Sequence, residues 1–281
     1  MKKILVPSDF SRVSLEAFKF AVDLATQTGG EILMLHVLDI PIAYTTDLDG
    51  FDYSFDPRVV KAMHDKADQQ FGKWKKKFGG SVKSISFHIE NGPTTGVIEH
   101  FIKKSGIDLV VMGTNGATGL KEFFIGSNTE KIVRFSKVPV VAIPKSVKVS
   151  SIRNIIFPTQ LKLNELSLVK RIKDLQKFFN AKLHVVYVNT PVNFRRQNIL
   201  DGLLKDYVKH YGLTNCKTHI INDPYEQQGI ADYANETPGS LIAMSTHGRR
   251  GLAHFFNLSI AEDVVNHVSC PIWTFSLRET K

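Results

Sequence analysis

The 281-residue chain is 43% hydrophobic and 22% charged, a globular composition that excludes a disordered protein and is long enough for two cores. Its two cysteines, Cys216 and Cys270, make no disulfide framework, and no apolar run reaches the roughly 18 residues that suggest a membrane span. A net charge of +9 permits acidic partners, yet the densest basic cluster, Lys73, Lys75, Lys76 and Lys77, falls late in an amphipathic segment. Cations there suit the negative end of a helix, so neither specific nucleic-acid binding nor a membrane is expected. The apolar run after Lys2-Lys3 stops at Pro7, too short for a secretion signal, which gives a cytoplasmic expectation.

In chain order, Lys3–Val6 is an apolar run of strand type, followed by Leu15, Phe18, Val22 and Ala25 at helical spacing. Glu31–Val37 is a second strand. Asp56-Pro57 supplies a cap and a first-turn proline for a helix whose apolar face is Val60, Met63, Ala67, Phe71, Trp74 and Phe78. Val82–Ile89, Leu109–Met112 and Val138–Ile143 complete five strands, and Pro144–Arg153 reads as a short polar linker. The first, second, fourth and fifth runs are nearly continuous in apolar residues and the strands alternate with helices, which predicts a parallel sheet covered on both faces.

The pattern then repeats. Ile4-Leu5-Val6-Pro7-Ser8-Asp9 recurs as Ile155-Ile156-Phe157-Pro158-Thr159-Gln160, and Gly113-Thr114-Asn115-Gly116 recurs as Ser245-Thr246-His247-Gly248. Repeats in this order, offset by 151 residues early and by 132 late because the second copy is shorter in its middle, predict two like domains, residues 1–146 and 151–281.

Ligands of open parallel sheets sit outside the carboxyl ends of the strands. Two segments of the first repeat fall there: Pro7-Ser8-Asp9, and the loop Met112 to Thr129 with Gly113, Gly116 and Gly126. Glycines let backbone approach a ligand closely, and Gly126-Ser127-Asn128-Thr129 offers free N–H groups at the positive end of a helix, where an anion is favoured. Asp9 could accept a ribose hydroxyl, hold a hydrated Mg²⁺ through water, or simply cap a helix. Ser127 and Glu130 also form a capping box that needs no ligand, retained as Ser259 and Glu262. The second repeat has Gln160, Ser245 and Leu258 where the first has Asp9, Gly113 and Gly126, the signature of one working and one decayed site. Arg249 and Arg250 are either solvated or an anion site, and His247 and His254 lack zinc spacing.

Gly113-x-x-Gly116 followed by Gly126-Ser127 resembles the G-2x-G-9x-G-(S/T) nucleotide motif of the universal stress protein family, as do the opening Ile-Leu-Val-Pro-Ser-Asp and the closing Val138-Pro139-Val140. The resemblance extends over both repeats. It implies two Rossmann-like α/β domains, with mainly parallel five-stranded open sheets of order 3-2-1-4-5. Their last strands would pair antiparallel as an intrachain pseudo-dimer, with homodimerisation left open. It further implies that Pro7, Ser8, Asp9 and Val37 surround the adenosine of ATP, ADP or AMP. Met112, Gly113, Gly116, Gly126, Ser127, Asn128 and Thr129 would hold ribose and phosphates. The expected function is a nucleotide-binding stress-response regulator acting through protein partners; a slow ATPase or phosphotransferase and a nucleotide-independent scaffold are the alternatives. No P-loop, dinucleotide fingerprint or nucleophile elbow is present.

Overall fold

The computed structural model describes residues 2–39, 57–114, 127–246 and 268–276. Within it the chain falls into two compact units, Met1–Val111 and Met112–Lys281.

The first unit runs β1 (Lys3–Pro7), α1 (Arg12–Thr28), β2 (Glu31–Leu38), α2 (Pro57–Phe78), β3 (Ile85–Asn91), α3 (Thr94–Ser105) and the start of β4 (Leu109–Gly113). Its strands lie in the order β3-β2-β1-β4 and pair in parallel, with Leu5 opposite both Leu33 and Val110. Ile4, Leu5 and Val6 are fully buried, because a central strand flanked by strands and covered by helices has no wet face. Helix α1 starts where the Ser11 hydroxyl accepts the Ser14 N–H and stops at Gly29 in the left-handed conformation. Helix α2 begins at Pro57; Asp56, its expected cap, lies outside the described residues. Lys75, in its basic last turn, reaches the Ile85 carbonyl at 3.1 Å.

The second unit carries the end of β4, α4 (Ser127–Phe135), β5 (Val140–Ile143), β6 (Asn154–Pro158), α5 (Leu166–Phe179), β7 (Lys182–Asn189), α6 (Gln197–Tyr211), β8 (Cys216–Asn222), α7 (Glu226–Glu236), β9 (Ser240–Thr246) and β10 (Ile272–Ser276). The order is β5-β10-β9-β6-β7-β8, so the second repeat has the expected 3-2-1-4-5 arrangement, all parallel. The expected pairing of last strands is present: β10 runs antiparallel to β5, with Ile272 opposite Ala142 and Thr274 opposite Val140. No helix among the described residues is long and apolar enough to cross a membrane.

Two expected strand starts shift, each for a local reason. The third strand begins at Ile85 rather than Val82, because the Val82 N–H turns back to the Gly79 carbonyl. The fifth begins at Val140 rather than Val138: the Ser136 hydroxyl both donates to the Val138 carbonyl and accepts its N–H, holding a turn, and Pro139 has no N–H to give a neighbouring strand. The linker is not merely polar. A 3₁₀ turn at Val149–Ser151 sits within it, and Val149 and Ile152 are buried.

Gly239, just before β9, accepts the N–H groups of Arg153 and Asn154 on its carbonyl. It is left-handed (φ +64°), and a Cβ there would meet the Ser151 carbonyl oxygen at 2.5 Å. Gly106 has a similar φ of +62° with nothing within 4 Å of a Cβ. Both alanine variants should lose the roughly 1–2 kcal/mol of left-handed strain. Gly239→Ala should lose clearly more in a melting experiment, and equal losses would show that the Ser151 turn yields freely.

A histidine pair bridges β7 and β8. His184 stacks on His219 with ring centroids 5.2 Å apart and planes 8° from parallel. Asn154 Nδ2 donates to the Pro238 carbonyl, so its Oδ1 accepts from His184 Nε2 and His184 Nδ1 accepts from the Tyr233 hydroxyl. Burial, then the neighbouring His219, Lys182 and Lys217, hold the His184 imidazole down to about 4. An unfolded imidazole titrates at about 6.5, so between there and the folded value the unfolded chain binds a proton the folded one refuses. Stability should therefore fall as pH drops through that window. His184→Leu, which installs the side chain that Leu33 presents at the corresponding place in β2, should melt lower at neutral pH but lose less on acidification. Melting temperatures from about pH 7.5 to 5 test this, and an unchanged slope would assign the acid sensitivity elsewhere.

Candidate functional site

The edge reached by the ends of β1 and β2 is built by one hydroxyl. Ser8 N–H donates to the Leu35 carbonyl; the Ser8 hydroxyl accepts the Phe10 N–H at 3.1 Å and donates to Ser14 Oγ. That turn holds Phe10 at φ 60°, an unusual conformation for a bulky side chain, of the kind that persists where surrounding contacts enforce it. The Phe10 ring packs on His36 and Trp74 at centroid distances of 5.1 and 5.2 Å. His36 Nδ1 donates to the Ser8 carbonyl at 2.8 Å.

Asp9 is not the helix cap: Ser11 is, and Asp9 Oδ1 accepts the Ser11 N–H at 2.9 Å, one step outside. The reason is the left-handed Phe10, which delays the first helical residue to Arg12. Burial pushes the Asp9 carboxyl up, but the Ser11 and Ser14 hydrogen bonds outweigh it and hold it below the usual carboxylate range. The side chain is thus charged at neutral pH and lines a cavity of about 390 Å³ together with Phe10, His36, Leu38, Lys66 and Ala67. Pro7 and Ser8 are buried beside it, and Val37 is half-buried in β2 opposite Glu90.

In the second unit, Met112 is buried at the end of β4 and Thr114 follows Gly113, its N–H donated to the Ile143 carbonyl. Helix α4 opens at Ser127, with Asn128 exposed and Thr129 buried. The Thr129 hydroxyl donates to the Gly113 carbonyl at 3.0 Å, tying the first turn of α4 to the end of β4. Its proton is therefore committed to the fold. Gly116 and Gly126 lie outside the described residues, as do His247, Arg249, Arg250, His254, Leu258, Ser259 and Glu262. Among the described residues, no group of three or more histidine, cysteine, aspartate or glutamate side chains is placed to hold a metal ion.

Two features were not anticipated. Thr114 Oγ1 is buried without a hydrogen-bond partner among the described residues, and so is Oγ1 of its counterpart Thr246. The strained turn also recurs: the Thr159 hydroxyl accepts the Leu161 N–H at 3.0 Å, and Leu161 has φ 61°. The shared Thr after Gly113 and Ser245, and the shared hydroxyl at Ser8 and Thr159, are the sequence signals that point to both.

Thr129→Val keeps the shape of the side chain and strips the Gly113 carbonyl of its donor. The expected cost is roughly 1–3 kcal/mol, read by denaturant unfolding; a neutral result would mean that water replaces the hydroxyl.

The sequence model described as "Universal stress protein family" matches residues 1–144 and again residues 151–276. A universal stress protein of Methanocaldococcus jannaschii is 31% identical over 147 residues, covering 52% of this chain and 84% of its own length. A universal stress protein of Synechocystis sp. is 22% identical over 293 residues, covering 98% of this chain and 100% of its own length. The crystal structure of a universal stress protein from Archaeoglobus fulgidus superposes with a TM-score of 0.74 at 18% identity, covering 98% of each chain, and so shares the fold. With the family pattern matched twice along an α/β chain whose strand order recurs, the protein belongs to the universal stress protein family as a tandem of two repeats.

Proposed function

We propose that the first repeat, residues 1–146, binds an adenine nucleotide and that occupancy is read by partner proteins in a stress response, while residues 151–281 form a repeat that has left this ligand. The observation that carries the reading is Asp9: a carboxylate charged at neutral pH, displaced from the cap it would otherwise form, on the wall of a cavity of about 390 Å³. Its counterpart Gln160 carries no charge.

The residues present fit such a ligand. Phe10, Leu38 and Ala67 offer apolar wall for a flat base, Asp9 accepts ribose hydroxyls, and Lys66 is a cation on the same cavity. The Gly113, Gly116 and Gly126-Ser127-Asn128-Thr129 sequence offers backbone N–H donors suited to phosphates, the Thr129 hydroxyl being already engaged. One carboxylate already engaged by Ser11 suits a Mg²⁺ held through water, not a direct coordination set.

Calorimetric titration of ATP with Mg²⁺ into the wild-type chain should give one site per chain. Gly126→Leu, which copies Leu258 into the first repeat, should abolish it, and Asp9→Asn should weaken it by about tenfold, the loss of one charge-assisted bond. No heat at millimolar ATP would sink the proposal; two sites would show that the second repeat still binds nucleotide.

A further inference from the structure

The second repeat has not lost its cavity. One of about 510 Å³ opens between the ends of β6 and β7 and the start of α7, larger than the one beside Asp9. Its floor is apolar, made by Pro158, Val186, Val188 and Ile230. The acid missing at Gln160 has reappeared on another element: Glu226, the first residue of α7, stands where α3 has Thr94. Burial raises the Glu226 pKa above the ordinary carboxylate value, against the lowering effect of a hydrogen bond from the Gln160 side chain.

The outer wall is the segment from Thr190 to Arg195, and it is pinned in place. Asn189 accepts the Arg195 N–H at 2.9 Å, donates to the Arg195 carbonyl at 3.2 Å and donates to Asn222 at 3.0 Å. This wall presents Val192 and Phe194, 90% and 67% exposed, above the apolar floor. Two cations, Arg195 and Lys162, line the same cavity; Lys162 acts on the Glu165 carboxyl, whereas the Arg195 guanidinium makes no hydrogen bond or ion pair among the described residues. Tyr187 lies between the two charges electrostatically: Arg195 lowers and Glu226 raises its hydroxyl pKa, against a background raised by burial. A carboxylate and a guanidinium thus share one cavity without pairing to each other, over an apolar floor and beneath two uncovered apolar side chains.

We propose that this cavity binds a small zwitterion with an apolar body, of the free apolar amino-acid class. The ammonium meets Glu226, the carboxylate meets Arg195, and the side chain lies on Val186, Val188 and Ile230 with Val192 and Phe194 closing over it. An ionised ligand group meeting an ionised side chain makes the stronger, shorter kind of hydrogen bond, and the apolar contact supplies most of the affinity.

The test is calorimetry on the full chain with L-phenylalanine, phenethylamine and phenylacetate. L-Phenylalanine should bind about tenfold or more tightly than either half-charged analogue, one charge-assisted contact being lost in each. Glu226→Gln should weaken L-phenylalanine and phenethylamine by about tenfold and leave phenylacetate unchanged. Arg195→Gln should weaken L-phenylalanine and phenylacetate and leave phenethylamine unchanged. Both positions are partly or fully exposed, and a melting curve confirms that each variant folds. Gly126→Leu should not affect any of the three ligands, which separates this cavity from the nucleotide reading. The proposal is overturned if L-phenylalanine gives no heat at millimolar concentration, or if its affinity ignores both substitutions. ATP binding that disappears in Glu226→Gln would also overturn it, making the cavity a nucleotide site.

Discussion

A parallel strand covered on both faces has only its ends on which to carry chemistry, and that constraint organises this protein. Ile4, Leu5 and Val6 in β1, and Ile155 and Ile156 in β6, are fully buried, so the first residues able to meet a solute are those just past the carboxyl end. There the chain must leave the sheet and enter a helix within a few residues. A single hydroxyl makes that reversal in each repeat, Ser8 in one and Thr159 in the other, by catching an N–H two residues on. The resulting left-handed residues, Phe10 and Leu161, project a large side chain onto the rim of each cavity. Strain of this kind is kept only where neighbouring contacts over-determine the turn.

Beneath that common turn the two repeats are supported differently. Ser8 donates to Ser14, a small and neutral partner. Thr159 faces Glu165, a buried carboxyl that accepts the Tyr207 hydroxyl at 3.0 Å and whose N–H donates to the Tyr211 hydroxyl at 2.8 Å. Burial raises the Glu165 pKa against the lowering effects of the Tyr207 hydroxyl, the Lys162 cation and the Thr159 hydroxyl, so the protonated form is favoured by the fold more than in an unfolded chain. The second cavity therefore rests on a polar network anchored by α5 and α6, the first on an aromatic cluster of Phe10, Trp74 and Phe87. Similar outlines are held up by different interactions, and this is why their walls could diverge in charge.

Much of this was legible in the residues alone. The apolar runs and the recurrence of Pro7 at Pro158 and of Gly113-Thr114 at Ser245-Thr246 are patterns of the sequence itself, whereas the antiparallel pairing of last strands was implied by the family resemblance. The misses have physical causes. Val138 looks like strand because it is β-branched, but the two-way bond of the Ser136 hydroxyl outweighs propensity. Whether Asp9 caps the helix stays open in the sequence, because aspartate favours caps but the cap position depends on the φ of Phe10, which no local preference announces. The charge at Glu226 was invisible for a related reason: comparing repeats position by position shows Asp9 becoming Gln160 and suggests decay. Only the shared cavity, lined by both Gln160 and Glu226, reveals that an acidic residue returns from a different element.

The antiparallel meeting of β5 and β10 has a consequence for how such a molecule can change. When two identical chains pair, every substitution arrives twice, once on each side of the symmetry axis, and an alteration that ruins one site ruins both. Here the two partners of that strand pair are encoded separately and tethered, so the association survives at high effective concentration while either half is rewritten alone. Asp9 with Thr94 on one side and Gln160 with Glu226 on the other are the two independent texts that this arrangement permits. One polypeptide thereby gains what a homodimer lacks: two chemically distinct pockets in fixed one-to-one stoichiometry.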